Sequence, residues 1–272
     1  EFLPSAGAAV IWQRLAEEEQ LFLSSTAAGE CDTASANAIA NEYQPLTLFM
    51  AVPTIYARML EYVARSNSSK VLVDGEKQQQ EIARAVSALG RMRLMVCGSA
   101  ALPDNILNNW EALTGYRLLE RYGMTEIGMA LSNPYRGQRK TGSVGLPLPN
   151  VECRLVDEEE HVITGYGEPG ELRIKGPNVF DHYLNRKEAT EESFDQYGWF
   201  CTGDLAERTE DGYYKILGRN STDIIKSAGY KLSALEIERE LLAHPQIAEA
   251  AVVGIADDTL GEKVVAVLAL RD

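Results

Sequence analysis

An α/β fold is predicted for this chain from three observations. Apolar strand-like runs alternate with helical patterns over the first half, short alternating strands take over after about Thr141, and the final stretch from Asp223 combines one capped helix with two further strand-like runs. Taken in order, Leu46 to Val52 is an extended apolar run, and Pro53 opens a helix that puts Ile55, Met59, Leu60 and Val63 on one face. On either side of that unit lie polar stretches, Glu17 to Gln44 and Ser66 to Gln80. Their Ala, Ser, Thr, Glu and Asn content shows little apolar period, so they read as a surface insertion and a loosely ordered loop. The unit then recurs. Arg93 to Val96 reads as a buried strand and Gly98 to Leu102 as a turn. Pro103 opens a helix with Ile106, Leu107, Trp110 and Leu113 inward and Gly115 just past its end.

Beyond Thr141 the period shortens to two in Val151 to Val156 and Glu171 to Lys175, and Asp211-Gly212 marks a turn before the strand-like Tyr213 to Leu217. Ser233 and Glu236 stand at capping-box spacing, so a helix starts there and ends before Pro245; Glu249 to Ile255 and Lys263 to Leu270 follow as strands. No internal repeat is present in the sequence.

The chain has 272 residues, enough at roughly 150 per domain for a full core and a second, smaller unit. Its 26 Lys and Arg against 40 Asp and Glu give a net charge of −14, which argues against bulk attraction to a phosphate backbone, so no nucleic-acid partner is expected and any anion site must be local. The longest apolar run, Val264 to Leu270, is far short of a bilayer span. Cys31, Cys97, Cys153 and Cys201 are too widely spaced for a zinc site and read as free thiols of a reducing compartment.

Three segments could carry chemistry. The densest is LLERYGMTEIGMA, Leu118 to Ala130, where Tyr122 offers a flat face for a base, Thr125 a hydroxyl for a phosphate oxygen, and Glu126 a carboxylate for a hard cation. The bland reading is a strand and a polar turn. The second is GSAAL, Gly98 to Leu102, whose small residues at a strand end let a planar ligand approach the backbone, though such turns are often only tight turns. In the third, FCTGDLAERTEDGYYKILGR, Asp204 can accept from both hydroxyls of a ribose and Arg219 can add a donor; without context both are hairpin-end surface charges.

Together with GRNSTDIIKSAGYKLSALEIE, these motifs resemble the adenylate-forming superfamily of acyl-CoA synthetases, peptide-synthetase adenylation domains and luciferases, over nearly the whole chain apart from the two polar stretches. The resemblance implies two half-reactions: a carboxylate attacks the α-phosphate of ATP to give an acyl-adenylate and pyrophosphate, and a thiol then displaces AMP. It implies ATP, Mg2+ and coenzyme A as the small molecules used. It places Gly98, the Ser99, Ala100 and Ala101 backbone, Glu120, Tyr122, Gly123 and Met124 around the nucleotide, with Thr125 on phosphate, Glu126 on magnesium, and Asp204 and Arg219 on the ribose. Thr125 and Glu126 would be the catalytic pair. The fold implied is the C-terminal half of a large adenylate-forming domain, 1–222, followed by the start of a small mobile α+β domain, 223–272, hinged at Asp223, before which Thr222 stands where the family usually has Lys. Gly229, Tyr230 and Lys231 would face CoA; the family often has two glycines before the Tyr-Lys step, whereas this chain reads Ser227-Ala228-Gly229.

Two arginines bear on the acid. Arg58 in VPTIYAR and Arg121 in ERYGMTE would both come near the reacting carboxylate, and a guanidinium grips a carboxylate in a planar, two-pronged way. A fatty acid's methyl end has no use for a buried cation, whereas a short dicarboxylic acid does. The pattern is similar to malonyl-CoA synthetases of plant and algal type, through LPSAG, W-Q-R, GSAALP, LLERYGMTE and GRNS-DI-K, so malonate is the expected acid, with methylmalonate open because one methyl discriminates by only about 1 to 3 kcal/mol. The competing readings are arginines paired on the surface with Glu61 or Glu120, a synthetase for medium-chain or aryl monocarboxylic acids, and a degenerate nucleotide-binding relative.

The first residue is Glu1, and the family's phosphate loop and adenylation Lys match no segment. The expectation is therefore a fragment, inactive or nearly so by itself in the first half-reaction, with an intracellular location in cytosol or mitochondrion and the plastid open.

Overall fold

In this computed structural model the described residues are 5–28, 46–68 and 75–270. They fall into two compact units, Glu1–Cys97 with Ile106–Leu118, and Gly98–Asn105 with Leu119–Asp272.

The first unit holds helix α1 (Ser5–Ala28), strand β1 (Leu48–Ala51), helices α2 (Pro53–Ser68) and α3 (Gly75–Gly90), strand β2 (Leu94–Cys97) and most of helix α4 (Asp104–Thr114). β1 and β2 pair in parallel, Leu48 opposite Leu94 and Ala51 opposite Cys97, as the strand–helix alternation predicts. Its core is aromatic: the Tyr56 ring meets Trp110 edge-on at 4.8 Å, and Trp12 lies 6.4 Å from Trp110. Each tie to the backbone uses a polar tip on an apolar body, Tyr56 Oη donating to Val96 O at 2.9 Å and Trp12 Nε1 to Met59 O at 3.0 Å.

Both polar stretches need correction. Residues 17–28 continue α1, 66–68 continue α2, and 75–80 open α3; residues 29–45 and 69–74 lie outside the described residues. The acids that hid the helix are inside it. Glu18 Oε1 accepts from Leu46 N at 2.8 Å, and Glu19 accepts from Ser87 Oγ at 3.1 Å and pairs with Arg91, so two of three consecutive carboxylates are buried tertiary contacts. Buried acids with partners leave no apolar period to read.

The second unit opens with an antiparallel set, β3 (Leu119–Met124), β4 (Gly128–Ser132) and β5 (Leu146–Pro147). Strands β6 (Glu152–Val156), β7 (Val162–Ile163), β8 (Gly170–Lys175), β9 (Phe200–Arg208) and β10 (Tyr214–Arg219) then form a five-stranded antiparallel sheet in the order β10-β9-β8-β6-β7, with helix α5 (Lys187–Glu192) between β8 and β9. Ile127, Leu131, Leu172, Ile174, Phe200 and Ala206 make their common core, which accords with the β-rich section expected after Thr141. A last sheet, β12-β11-β14-β13, is built from β11 (Ile224–Ser227), β12 (Tyr230–Ser233), β13 (Ile247–Asp257) and β14 (Gly261–Leu270), with helix α6 (Ala234–Leu242) packed on it through Ala234, Ile237 and Leu241. Ser233 caps α6 by accepting from Glu236 N at 3.1 Å. Only half of the expected capping box forms, because the Glu236 carboxylate pairs with Lys215.

Cys97, Cys153 and Cys201 are free thiols, as expected; Cys31 lies outside the described residues. Among the described residues no helix is long and apolar enough to cross a membrane.

The β11–β12 hairpin turns on two residues, Ala228 at φ 49° and Gly229 at φ 83°. A turn with both central residues left-handed matches the twist of the strands but charges a Cβ about 1 kcal/mol or more. Ala228→Gly is therefore expected to stabilise the protein by about 0.5–1 kcal/mol after the added unfolded-state freedom of Gly is subtracted. Thermal unfolding checks it, with Gly229→Ala lowering the midpoint.

Candidate functional site

One cavity of about 480 Å³ lies wholly within the second unit, and its walls carry most of the residues singled out from sequence: Ser99, Ala100, Ala101, Glu120, Arg121, Tyr122, Gly123, Met124, Thr125, Glu126, Asp204, Arg219 and Asp223. These come from the turn after β2, from β3 and its turn, from β9 and from the end of β10. Gly98 is not itself in the wall, but a Cβ there would stand 3.0 Å from Arg121 Cζ, so it makes room for that guanidinium.

Strand β3 supplies a wall because Gly123 lets it bend onto β4: a Cβ at that position would collide with Gly128 O, and the register shifts between Tyr122 and Gly123. This glycine is explained by strand packing before any ligand is considered. Tyr122 Oη donates to Asp204 Oδ2 at 2.5 Å, and Arg219 Nε reaches Asp204 Oδ1 at 3.0 Å while its Nη1 donates to Thr202 O at 2.9 Å. Burial pushes the Asp204 carboxyl above its ordinary range, against the Tyr122 and Arg219 contacts that hold it down. The same burial, with Asp204 alongside, pushes the Tyr122 phenol up, so it stays a donor.

Gly218, at φ 132°, lets the chain fold back on itself: a Cβ would stand 2.6 Å from Asp223 Cβ. Asp223 Oδ2 accepts from Arg219 N at 2.8 Å and its backbone O accepts from Ala234 N at 2.8 Å, so the residue expected at the hinge is a fixed corner between β10 and α6 in this conformation.

Arg121 Nε is buried with no hydrogen-bond partner among the described residues. A donor left unmade in the interior costs about 1–3 kcal/mol, more when charged, and in a cavity wall it marks where an acceptor belongs. Glu126 is half-buried, with Oε1 accepting from Tyr183 Oη at 2.9 Å. One carboxylate, with substrate oxygens and water to complete the shell, fits the way a small hard cation such as magnesium is held. Thr125 is exposed in the turn.

The remaining expected residues are elsewhere. Arg58 belongs to the first unit, where Nη1 pairs with Glu61 Oε2 at 3.0 Å on α2, and it is not among the lining residues. Gly229, Tyr230 and Lys231 sit on the β11–β12 hairpin, with Tyr230 exposed and Lys231 Nζ 2.6 Å from Glu158 Oε1. Sequence reasoning missed Gly142, Leu235 and Arg239 in the wall, and Asn133 beneath it. Arg239 sits on α6, with its guanidinium against Gly142 and its Nε 3.5 Å from Asp104 Oδ1; its spacing marks only a helix face. Asn133 donates to Glu120 O at 3.0 Å and Ser143 O at 2.6 Å and accepts from Lys140 N at 2.9 Å, fixing the strand that carries the wall.

A family model described as AMP-binding enzyme matches residues 28–184, and one described as AMP-binding enzyme C-terminal domain matches 236–272. The mitochondrial malonate–CoA ligase of Mus musculus is 46% identical over 252 residues, covering 86% of this chain and 42% of the relative; the malonate–CoA ligase of Arabidopsis thaliana is 44% identical over 269 residues, covering 98% and 39%. The crystal structure of ATP-bound MatB from Rhodopseudomonas palustris aligns with a TM-score of 0.68 at 39% identity, over 82% of this chain and 40% of that one. The chain thus spans about two fifths of the length of the curated relatives it matches.

Burial pushes the Glu120 carboxyl up to about 7, with Asp104 adding to the rise and the Leu102 N hydrogen bond and Arg239 opposing it. Between its ordinary value of 4.5 and about 7 the folded protein keeps a proton that the unfolded chain has released. The contribution is full below 4.5 and is lost as pH rises through 7. Glu120→Gln keeps an acceptor for Leu102 N and removes the titration. Its melting temperature is expected to stay flatter than the parent's between pH 5 and 8 and to exceed it at pH 8, by up to about 3 kcal/mol of stability.

Proposed function

The chain belongs to the AMP-binding enzyme family, and from that membership we propose that the protein is an ATP-dependent malonate–CoA ligase, forming malonyl-CoA, AMP and pyrophosphate, with methylmalonate as a second acid. The observation that carries the choice of acid is Arg121, a guanidinium in the cavity wall whose buried Nε lacks a partner. A monocarboxylate would leave it unsatisfied; the distal carboxylate of malonate satisfies it and fixes chain length. The names of the two curated relatives support the same acid.

In this reading Tyr122 and the Ser99 to Ala101 backbone flank adenine, with Gly98, Glu120, Gly123 and Met124 behind them, and Asp204 and Arg219 take the ribose. Each Asp204 oxygen already serves Tyr122 or Arg219, but a carboxylate oxygen has a second acceptor position. Thr125 meets phosphate. Glu126 holds magnesium, which neutralises phosphate charge when bound. Malonate's near carboxylate attacks the α-phosphorus and expels pyrophosphate. The CoA thiol, having lost its proton, then attacks the acyl carbon and expels AMP. Arg58 joins Arg121 on the far carboxylate in this scheme, which requires it to leave Glu61. Gly229, Tyr230 and Lys231 face CoA, and residues 223–272 move against 1–222 about Asp223. The gap between the two matched family models, 184 to 236, is consistent with that division. Free thiols suit a reducing interior such as the cytosol or the mitochondrion.

The test is malonate-dependent exchange of labelled pyrophosphate into ATP by the complete gene product, with methylmalonate, acetate and octanoate alongside. Exchange is expected with malonate, weaker with methylmalonate and negligible with the monocarboxylates, and Arg121→Ala should lower kcat/KM for malonate by about 10–100-fold. Exchange confined to acetate or octanoate would overturn the choice of acid while leaving the family intact.

A further inference from the structure

We propose that Tyr183 is a positioning residue for the cation site: the segment 176–183 straps the Glu126 turn in place, and the Tyr183 hydroxyl holds one oxygen of the Glu126 carboxylate so that the other stays aimed at the cavity. The inference rests on Glu126 as the magnesium carboxylate.

The strap leaves β8 at Lys175 and runs past the turn between β3 and β4, making three separate bonds to two consecutive residues. Asn178 Nδ2 donates to Ile127 O at 2.6 Å, Phe180 N donates to Glu126 O at 2.7 Å, and Tyr183 Oη donates to Glu126 Oε1 at 2.9 Å. Two fix the turn's backbone; the third fixes its side chain. The Tyr183 ring is itself backed by Phe180, edge-on at 4.7 Å, and Phe180 stacks on Phe194 at 5.8 Å and meets buried Phe200 at 5.6 Å. Tyr183 N also donates to Thr190 Oγ1 at 3.0 Å. The hydroxyl is thus delivered from the core of the β-rich sheet, and Tyr183 is not a wall residue while Glu126 is.

The residue type matters. Lys or Arg in this place would neutralise the carboxylate and repel a cation beside it. A phenol donates one hydrogen bond and adds no charge, so it orders Glu126 and leaves it anionic. A free Glu side chain loses up to about 2 kcal/mol of rotamer freedom when it is fixed, and here that cost is met in folding rather than on binding metal. Groups that hold a metal ligand from behind typically change affinity by about 10–100-fold when removed.

The experiment uses the complete gene product as parent, Tyr183→Phe and Glu126→Gln, with Mn2+ as the probe. Free Mn2+ is titrated by electron paramagnetic resonance in the presence of a non-hydrolysable ATP analogue, and the Mg2+ dependence of pyrophosphate exchange is measured in parallel. Tyr183→Phe keeps the ring and its packing. It is expected to weaken Mn2+ binding about tenfold and to raise the Mg2+ needed for half-maximal exchange by the same factor, with the rate at saturating Mg2+ falling much less. A fall in maximal rate with unchanged metal dependence would show a purely structural role and overturn the proposal. If Glu126→Gln shifts the metal dependence and Tyr183→Phe does not, Tyr183 alone is ruled out. If Glu126→Gln itself leaves Mn2+ binding unchanged, the assignment of Glu126 fails and takes this inference with it.

Discussion

The second unit is organised around one desolvated carboxylate. Asp204, on β9, is gripped by the Tyr122 hydroxyl from β3 and by Arg219 from β10, so three strands from widely separated parts of the chain share one polar contact. Its own backbone is fixed by Thr202, whose Oγ1 accepts from Asp204 N at 3.1 Å and donates to Leu172 O at 2.6 Å, which ties in β8 as well. Removing one partner from such a buried charged contact costs about 3–5 kcal/mol, because the survivor stays desolvated. The carboxylate is therefore an architectural element first. The cavity wall exists because Tyr122, Asp204 and Arg219 are locked to one another, and the same locking orients them for a ligand without further ordering.

Close approach sets the rest of the wall. Gly123 lets β3 meet Gly128, Gly218 lets β10 fold back onto Asp223, and Gly98 clears a place for the Arg121 guanidinium. Each absent Cβ trades conformational entropy for a backbone position no other residue reaches. The outcome is a cavity in which most polar groups already have partners, and Arg121 Nε stands out as the one in the wall that does not.

Much of this was legible in the sequence for a physical reason: strands, turns and motif residues are local signals. LLERYGMTE showed a strand and its polar turn, and Ser233 with Glu236 showed a helix start. What escaped was non-local. Glu18 and Glu19 looked like solvent-facing acids because their partners, Leu46, Ser87 and Arg91, are distant in sequence. Arg239 reads as one charged position on an amphipathic helix, and only the fold brings it against Gly142. Asn133 and Tyr183 share that obscurity, since a side chain that holds another residue in place carries no motif of its own. The Glu236 half of the capping box failed for a related reason: Lys215, a tertiary partner, outcompeted the local backbone donor.

Two carboxylates on one short segment show how environment, not residue type, assigns a role. Glu120 and Glu126 belong to the same strand and turn and both line the cavity. Glu120 lies under the Leu102 amide in a nearly water-free place, where burial raises its affinity for a proton to a value near neutrality. A group of that kind makes a poor partner for a hard cation, because binding metal would first require a costly ionisation. Glu126 is half-exposed, and it is held by a neutral hydroxyl that orders it without discharging it. Ionised, oriented and open on one oxygen, it meets the requirements that Glu120 fails. The strand places both side chains at the cavity, but the strap from 176–183 and the burial beneath Leu102 decide which of them can serve a cation.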